Sequence, residues 1–168
     1  PAGSDGLIVL PYFMGERSPI WDSDAKGTIV GLSLAHTKAH IYRAFLEAVA
    51  FSLRDAMEAT GEDLGEYILL AGGVTKSKLW RQIFADVTGY PVACPIHDVE
   101  ANMGDVMLAG IGTSLLSYED VKKWQVLDQK IMPNKENHQK YTDYYQVYKS
   151  IYQNLKSDMK TLTRLSAR

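Results

Sequence analysis

The chain has 168 residues, 46% apolar and 23% charged. These are the proportions of a soluble globular protein of about one domain, able to bury roughly 70% of the surface its unfolded form exposes. A net charge of -2 gives no electrostatic footprint for nucleic acid or an anionic membrane, and no stretch approaches the roughly 20 apolar residues that cross a bilayer.

The single cysteine, Cys94, cannot form an internal disulfide, and no charged segment followed by an apolar one opens the chain, so the cytoplasm is the expected compartment. Pro1 to Asp5 lack an initiator methionine and lead straight into an apolar run, which reads as a piece of a longer protein. Gly6 to Phe13 and Thr28 to Ser33 are β-leaning, and the Gly, Ser, Pro and Asp rich segment from Gly15 to Gly27 between them reads as a loop. From Thr37, an N-cap, to Gly61, a C-cap, the residues Ile41, Phe45, Leu46, Val49, Leu53 and Met57 recur at spacings of three and four and predict a helix. Tyr67 to Ala71 is apolar without alternation and reads as a strand buried on both faces.

After Gly72 and Gly73 a second helix carries Leu79, Ile83, Phe84 and Val87 on one face and ends at Gly89. Val92 to Pro95 reads as a strand and Met103 to Leu116 as a helix. This alternation predicts right-handed crossovers in an α/β fold, a mostly parallel sheet flanked by helices. Lys122 to Asn137 reads as a polar connection. The last helix, about His138 to Arg164, puts Tyr141, Tyr144, Tyr145, Tyr148, Ile151, Tyr152, Leu155, Met159 and Leu162 on one stripe, a docking face rather than a site for aromatic ligands. The sequence holds no internal repeat and no low-complexity segment.

A parallel strand that ends in Gly72-Gly73 and turns into a helix sets backbone N–H groups and a positive helix end at the carboxyl edge of the sheet, where α/β folds bind ligands. Glycine there admits a flat ring or a phosphate because no Cβ intervenes. Ser77 can cap the helix or reach a ligand. The competing reading is a tight turn with Ser77 only as a cap, and spacing alone leaves the two level. A Walker loop is excluded, since only two residues separate Gly73 from Lys76. Lys76 can approach a phosphate, though a solvated lysine is the commoner fate of that position.

Three ordered motifs carry a family resemblance. Gly27-Thr-Ile-Val-Gly31-Leu32, followed after seven residues by His40-Ile41, Ala44 and Leu46-Glu47, resembles the C-terminal signature of the FGGY family of carbohydrate kinases, with Phe45 bulkier than expected. Leu10-Pro-Tyr-Phe-Met-Gly-Glu-Arg-Ser-Pro-Ile-Trp-Asp22 is similar to the loop before that signature. The stretch from Gly72 to Val87 resembles the family's adenosine motif. The similarity runs from about Gly6 to Thr113 and continues loosely into the tyrosine-rich helix.

The resemblance implies a partial ribonuclease-H-like (actin-like ATPase) domain with a mixed sheet flanked by helices. Residues 1–168 would be the C-terminal nucleotide-binding domain of a two-domain sugar kinase, with a core at about 6–118 and a docking helix at about 138–164. The N-terminal sugar-binding domain and the catalytic base would lie outside this segment. The resemblance further implies MgATP and a sugar as ligands, Gly72 and Gly73 against the adenosine and α-phosphate, and Ser77 near adenine. Xylulose is the expected sugar, from the loop Gly15-Glu16-Arg17-Ser18-Pro19, and gluconate the next. This chain alone is expected to be catalytically silent. A non-catalytic ATP-binding or regulatory module of the same fold is the alternative from another class, and a homodimer is left open.

Glu16 and Arg17 are candidate cleft residues, weighed against a local ion pair worth under about 1 kcal/mol. His36 and His40 stand four apart as zinc pairs do, but no glutamate follows His36 and no third ligand is evident; Cys94 and His97 lack a second pair, so no metal site is expected. Asp22 reads as a turn aspartate and Cys94 as a small core residue. In Glu100-Ala-Asn-Met-Gly104-Asp105 the aspartate replaces an expected small residue. A helix N-terminus suits it, and its charge argues against phosphate at Gly104.

Overall fold

The structure is a computed structural model, and it describes residues 1–62, 64–96, 101–124 and 126–166. His97 and Glu100, named above, lie outside the described residues. Two strands open the fold, β1 (Ile8–Leu10) and β2 (Thr28–Val30), paired antiparallel with Ile8 opposite Val30 and Leu10 opposite Thr28. The remaining elements are α1 (Lys38–Thr60), β3 (Ile68–Leu69), α2 (Lys78–Thr88), β4 (Val92–Ala93), α3 (Ala101–Gly112), α4 (Tyr118–Trp124) and α5 (Lys135–Ser166). β3 and β4 pair parallel, Ile68 opposite Val92 and Leu69 opposite Ala93.

The mostly parallel sheet is therefore corrected: among the described residues there are two two-stranded sheets, one antiparallel and one parallel. The connection through Gly15 to Gly27 carries no helix among the described residues and returns the chain to a neighbouring antiparallel strand, whereas the connection from β3 to β4 carries α2 and brings its strands in parallel. The connection at 122–137 is also more ordered than its polarity suggests. Its first residues end α4. Residues 126–131 then run antiparallel beside β4, with Ile131 N–H donating to Val92 O at 2.8 Å and Asp128 N–H to Cys94 O at 2.8 Å.

The caps read from the sequence are present. Thr37 and His40 form a reciprocal box at the start of α1, and Gly61 ends it at φ +64°. Ser77 caps α2 and Gly89 ends it at φ +78°.

The core lies where α1, α2 and α5 meet β1 and β4. Ile8 and Leu10 face it with Tyr12, Phe51, Ile83, Val87 and Val92, while Leu7 and Val9 point the opposite way onto Ala44 and Ala48 of α1, as strand alternation requires. The α5 stripe is the docking face expected. Four of its five tyrosines bury their rings and hand the hydroxyl to a partner: Tyr141 to Glu47 Oε1 at 2.7 Å, Tyr145 to Asp55 Oδ1 at 2.9 Å, Tyr148 shared with Tyr12 at 2.7 Å, and Tyr152 to Asp22 Oδ2 at 2.7 Å, while Tyr144 is half-buried. Leu162, the last residue of the stripe, is exposed.

Two further expectations are corrected. β3 is not buried on both faces, since Leu69 is 46% exposed and its strand pairs on one edge among the described residues. α3 starts at Ala101 rather than Met103, so Asp105 stands beyond the first turn, where the helix dipole has faded.

Candidate functional site

The site builds outward from the end of β3. Past Leu70 and Ala71 the chain turns at Gly72, whose φ of +80° and ψ of -155° lie in a region open essentially to glycine. Gly73 begins a 3-10 turn, Gly73–Lys76, without a positive φ. The Thr75 N–H and hydroxyl both donate to Gly72 O, at 3.0 and 2.8 Å, and Ser77 N–H donates to Val74 O at 3.2 Å. Ser77 Oγ accepts the Trp80 N–H at 3.2 Å, and Trp80 Nε1 donates to Leu46 O at 3.1 Å, which ties the start of α2 to α1.

A Cβ on Gly72 or Gly73 would meet nothing within 4 Å. Backbone angle alone accounts for glycine at 72. At 73 nothing inside the chain does: the angle suits any L residue, the space is open, and among the described residues no acceptor meets its N–H.

Two cavities flank the turn. One, of about 420 Å³, is lined by Thr75, Lys76, Arg81, Cys94, Ile96 and Asp128. The other, of about 440 Å³, is apolar and lies between α1 and α2, against Val49, Leu53, Leu70, Gly73, Trp80 and Phe84. Leu79, expected on the apolar face of α2, is instead 45% exposed. Gly72, Gly73, Lys76 and Ser77 thus share one edge.

Glu16 and Arg17 sit elsewhere, on the loop between β1 and β2. Glu16 and Asp22 exchange backbone hydrogen bonds at 2.9 Å, and Arg17 N–H donates to Glu16 Oε1 at 2.9 Å, a contact through the Arg17 backbone. Neither flanking cavity reaches them. Asp22 makes its turn by accepting the Asp24 N–H at 2.9 Å, and the Tyr152 hydroxyl holds its carboxyl below the ordinary range.

The two histidines at the head of α1 are engaged structurally. Nδ1 of His36 accepts the Ser33 N–H at 3.0 Å and Nδ1 of His40 the Thr37 N–H at 3.1 Å. Their Nε2–H groups then face Asp5, at its carbonyl (3.3 Å) and its carboxylate (3.2 Å). Among the described residues no group of three or more His, Cys, Asp and Glu side chains converges on a metal position, and no helix is long and apolar enough to cross a membrane. Cys94 is buried, as a small core residue would be.

Arg81 and Asp128 meet at the same edge, and sequence reading passed over both. No acidic side chain stands three or four residues from Arg81 on its own helix. Its partner is 47 residues away, and no local pattern announces such a pair.

The family model for the FGGY family of carbohydrate kinases, C-terminal domain, matches residues 1–113. A xylulose kinase of Staphylococcus epidermidis is 34% identical over 169 residues, an alignment covering 96% of this chain and 34% of that protein. Among solved structures, the ligand-bound xylulose kinase of Lactobacillus acidophilus superposes with a TM-score of 0.85 at 30% identity, and the gluconate kinase of the same organism with a TM-score of 0.83 at 30% identity. Each superposition covers 96% of this chain and 34% of the kinase. The chain therefore spans about a third of the length of the relatives it matches.

Proposed function

This chain belongs to the FGGY family of carbohydrate kinases, with their α/β actin-like ATPase fold, and from that premise we propose that the protein it comes from transfers the γ-phosphoryl group of MgATP to a sugar hydroxyl. In that reaction the sugar oxygen forms a bond to the γ-phosphorus, the bridge to the β-phosphate breaks, ADP leaves, and the hydroxyl proton passes to a base supplied outside these residues. Phosphoryl transfer depends on positioning and charge stabilisation more than on covalent chemistry. Residues 1–168 supply the nucleotide-binding side, with the core at about 6–118 and the docking helix at about 138–164.

The observation that carries this reading is glycine at position 73. Neither backbone angle nor packing calls for it, and it faces open space beside a helix start, which is what close approach of a nucleotide to the backbone would require. Gly72 sets the angle of the turn, Gly73 admits the adenosine and α-phosphate, and Ser77 stands near the base. Lys76 lies along the same edge, while Glu16 and Arg17 belong to the wall of the interdomain cleft. Magnesium arrives as the ATP complex and supplies charge neutralisation to the phosphates.

Xylulose is the favoured acceptor, supported by the Staphylococcus and Lactobacillus xylulose kinases, and gluconate is the second reading, supported by a nearly equal superposition. The setting is cytoplasmic. Alone, the chain turns over no substrate: losing the general base costs typically 10² to 10⁴ in rate, and losing the sugar-positioning domain forfeits a further effective-molarity factor.

Calorimetric titration of MgADP into this chain, repeated with Gly73→Asp, tests the assignment. The aspartate fits the backbone and the space, so the fold should persist while its carboxylate opposes the phosphates and binding is lost. Equal binding by both forms would refute the role of Gly73, and steady phosphorylation of xylulose by the chain alone would refute its silence.

A further inference from the structure

Beside the glycine turn stands a charge pair to which the proposed function assigns no role. Arg81 leaves the first turn of α2 four residues after the Ser77 cap, and its Nη1 meets Asp128 Oδ2. The other Asp128 oxygen accepts the Cys94 N–H at 3.1 Å, and Asp128 N–H donates to Cys94 O at 2.8 Å. The carboxylate is thus fastened to the residue that follows β4. Arg81 is largely buried, and its Nε is shielded from water without a hydrogen-bond partner among the described residues. An orphaned donor of that kind carries a free-energy cost and asks for an explanation.

Position supplies one. The glycine turn hangs between the end of β3 and the start of α2. Trp80 ties that start to α1 through Leu46 O, and Arg81 ties it to the end of β4 through Asp128. Thr75 and Lys76 of the turn border the same 420 Å³ cavity as Arg81 and Asp128, so the pair and the turn share its wall. A guanidinium fork holds such a spacing in a way that a lysine ammonium cannot, because its planar donors fix direction as well as charge.

We propose that Arg81, clamped by Asp128, is a positioning residue for nucleotide, holding the turn from Gly73 to Ser77 at the separation from β4 that the bound adenosine portion needs. This rests on the reading of the glycine turn as a nucleotide-binding edge. The pair acts through the turn and leaves the sugar side of the reaction unchanged.

The test uses the whole kinase, its Arg81→Lys and Asp128→Asn variants, and the double variant. MgADP affinity is measured by calorimetry, and KM for ATP is set against KM for D-xylulose or D-gluconate, whichever the protein phosphorylates. Misplacement of a binding element by a fraction of an ångström to one ångström is felt over one to two powers of ten, so each single variant should weaken MgADP binding about tenfold. The double variant should be no weaker than the worse single one, because both changes open the same clamp. KM for ATP should follow, with KM for the sugar within about twofold of wild type. MgADP binding unchanged in both single variants would overturn the clamp. So would a sugar KM rising in the same proportion, the mark of general loosening. A wild-type protein that binds no MgADP would overturn the underlying reading and this one with it, so the wild-type titration separates the two failures.

Discussion

Glu47→Gln is the substitution expected to damage this fold most for its size. Glu47 is 2% exposed, and its carboxylate takes four donors: Gly3 N–H at 3.0 Å, Arg43 Nε at 2.7 Å and the Tyr141 hydroxyl at 2.7 Å on Oε1, and the Ser4 hydroxyl at 2.8 Å on Oε2. Those donors join the opening turn, α1 and α5. Glutamine keeps the shape, removes the charge, and places an NH₂ group where an acceptor stood. Breaking a buried ion pair by removing one partner costs about 3–5 kcal/mol. Here the Ser4 hydroxyl can rotate to accept, and Arg43 keeps a fifth of its side chain in water, so the lower end applies, about 3 kcal/mol. For a chain of this size that lowers the melting temperature by about 6–12 °C. Urea unfolding at neutral pH, compared with Arg43→Gln and with the double variant, is the assay. The double variant should lose less than the sum of the two single losses, since the charge left unpaired in one is absent in the other. A loss below about 1 kcal/mol for Glu47→Gln, or strict additivity, would refute the claim that this carboxylate is the shared anchor.

The tyrosine stripe predicts steep alkaline unfolding. Burial pushes the Tyr12 phenol up to about 12 and raises Tyr141, Tyr145 and Tyr148 as well, so the folded state holds protons that the unfolded chain gives up near pH 10. Stability is intact below pH 10 and falls above it, by about 1.4 kcal/mol per pH unit for each such group, or about 2 kcal/mol for Tyr12 alone by pH 12. Tyrosinate absorbance should rise together with loss of far-UV circular dichroism, and buried phenols titrating near pH 10 in a folded chain would contradict this. Gly72→Ala should cost about 1–3 kcal/mol of stability through its backbone angle, whereas Gly73→Ala should be neutral or stabilising by up to about 1 kcal/mol, read by thermal melting without ligand. Ser77→Ala removes the cap of α2 and should cost about 1 kcal/mol, with a null effect arguing that water replaces the hydroxyl.

The limits of α1 and α2 were legible because their signals are local, whereas α3 runs Ala101–Gly112 against the expected 103–116. Thr37, Gly61, Ser77 and Gly89 cap where the letters place them, and α1 needed only the recurrence of Ile41, Phe45, Val49 and Leu53 to be seen. Strand orientation was not legible, because β1 and β2 are too short to show by pattern which way they pair. The antiparallel segment at 126–131 escaped for a related reason: its backbone bonds to β4 are indifferent to its polar side chains.

The resemblance pointed at the right stretches without saying what each letter does. His40 and Glu47 both belong to the quoted signature. The structure gives one to capping α1 and the other to anchoring the opening turn, so their roles in this chain are architectural. Gly73 is the reverse case, a residue whose identity the architecture does not demand. Between those extremes stand Arg81 and Asp128, on different elements and with no shared sequence pattern, which only folding brings to the glycine turn. A site made of one local motif and one long-range pair shows half of itself to a reader of letters. The half it hides is the half that sets distances.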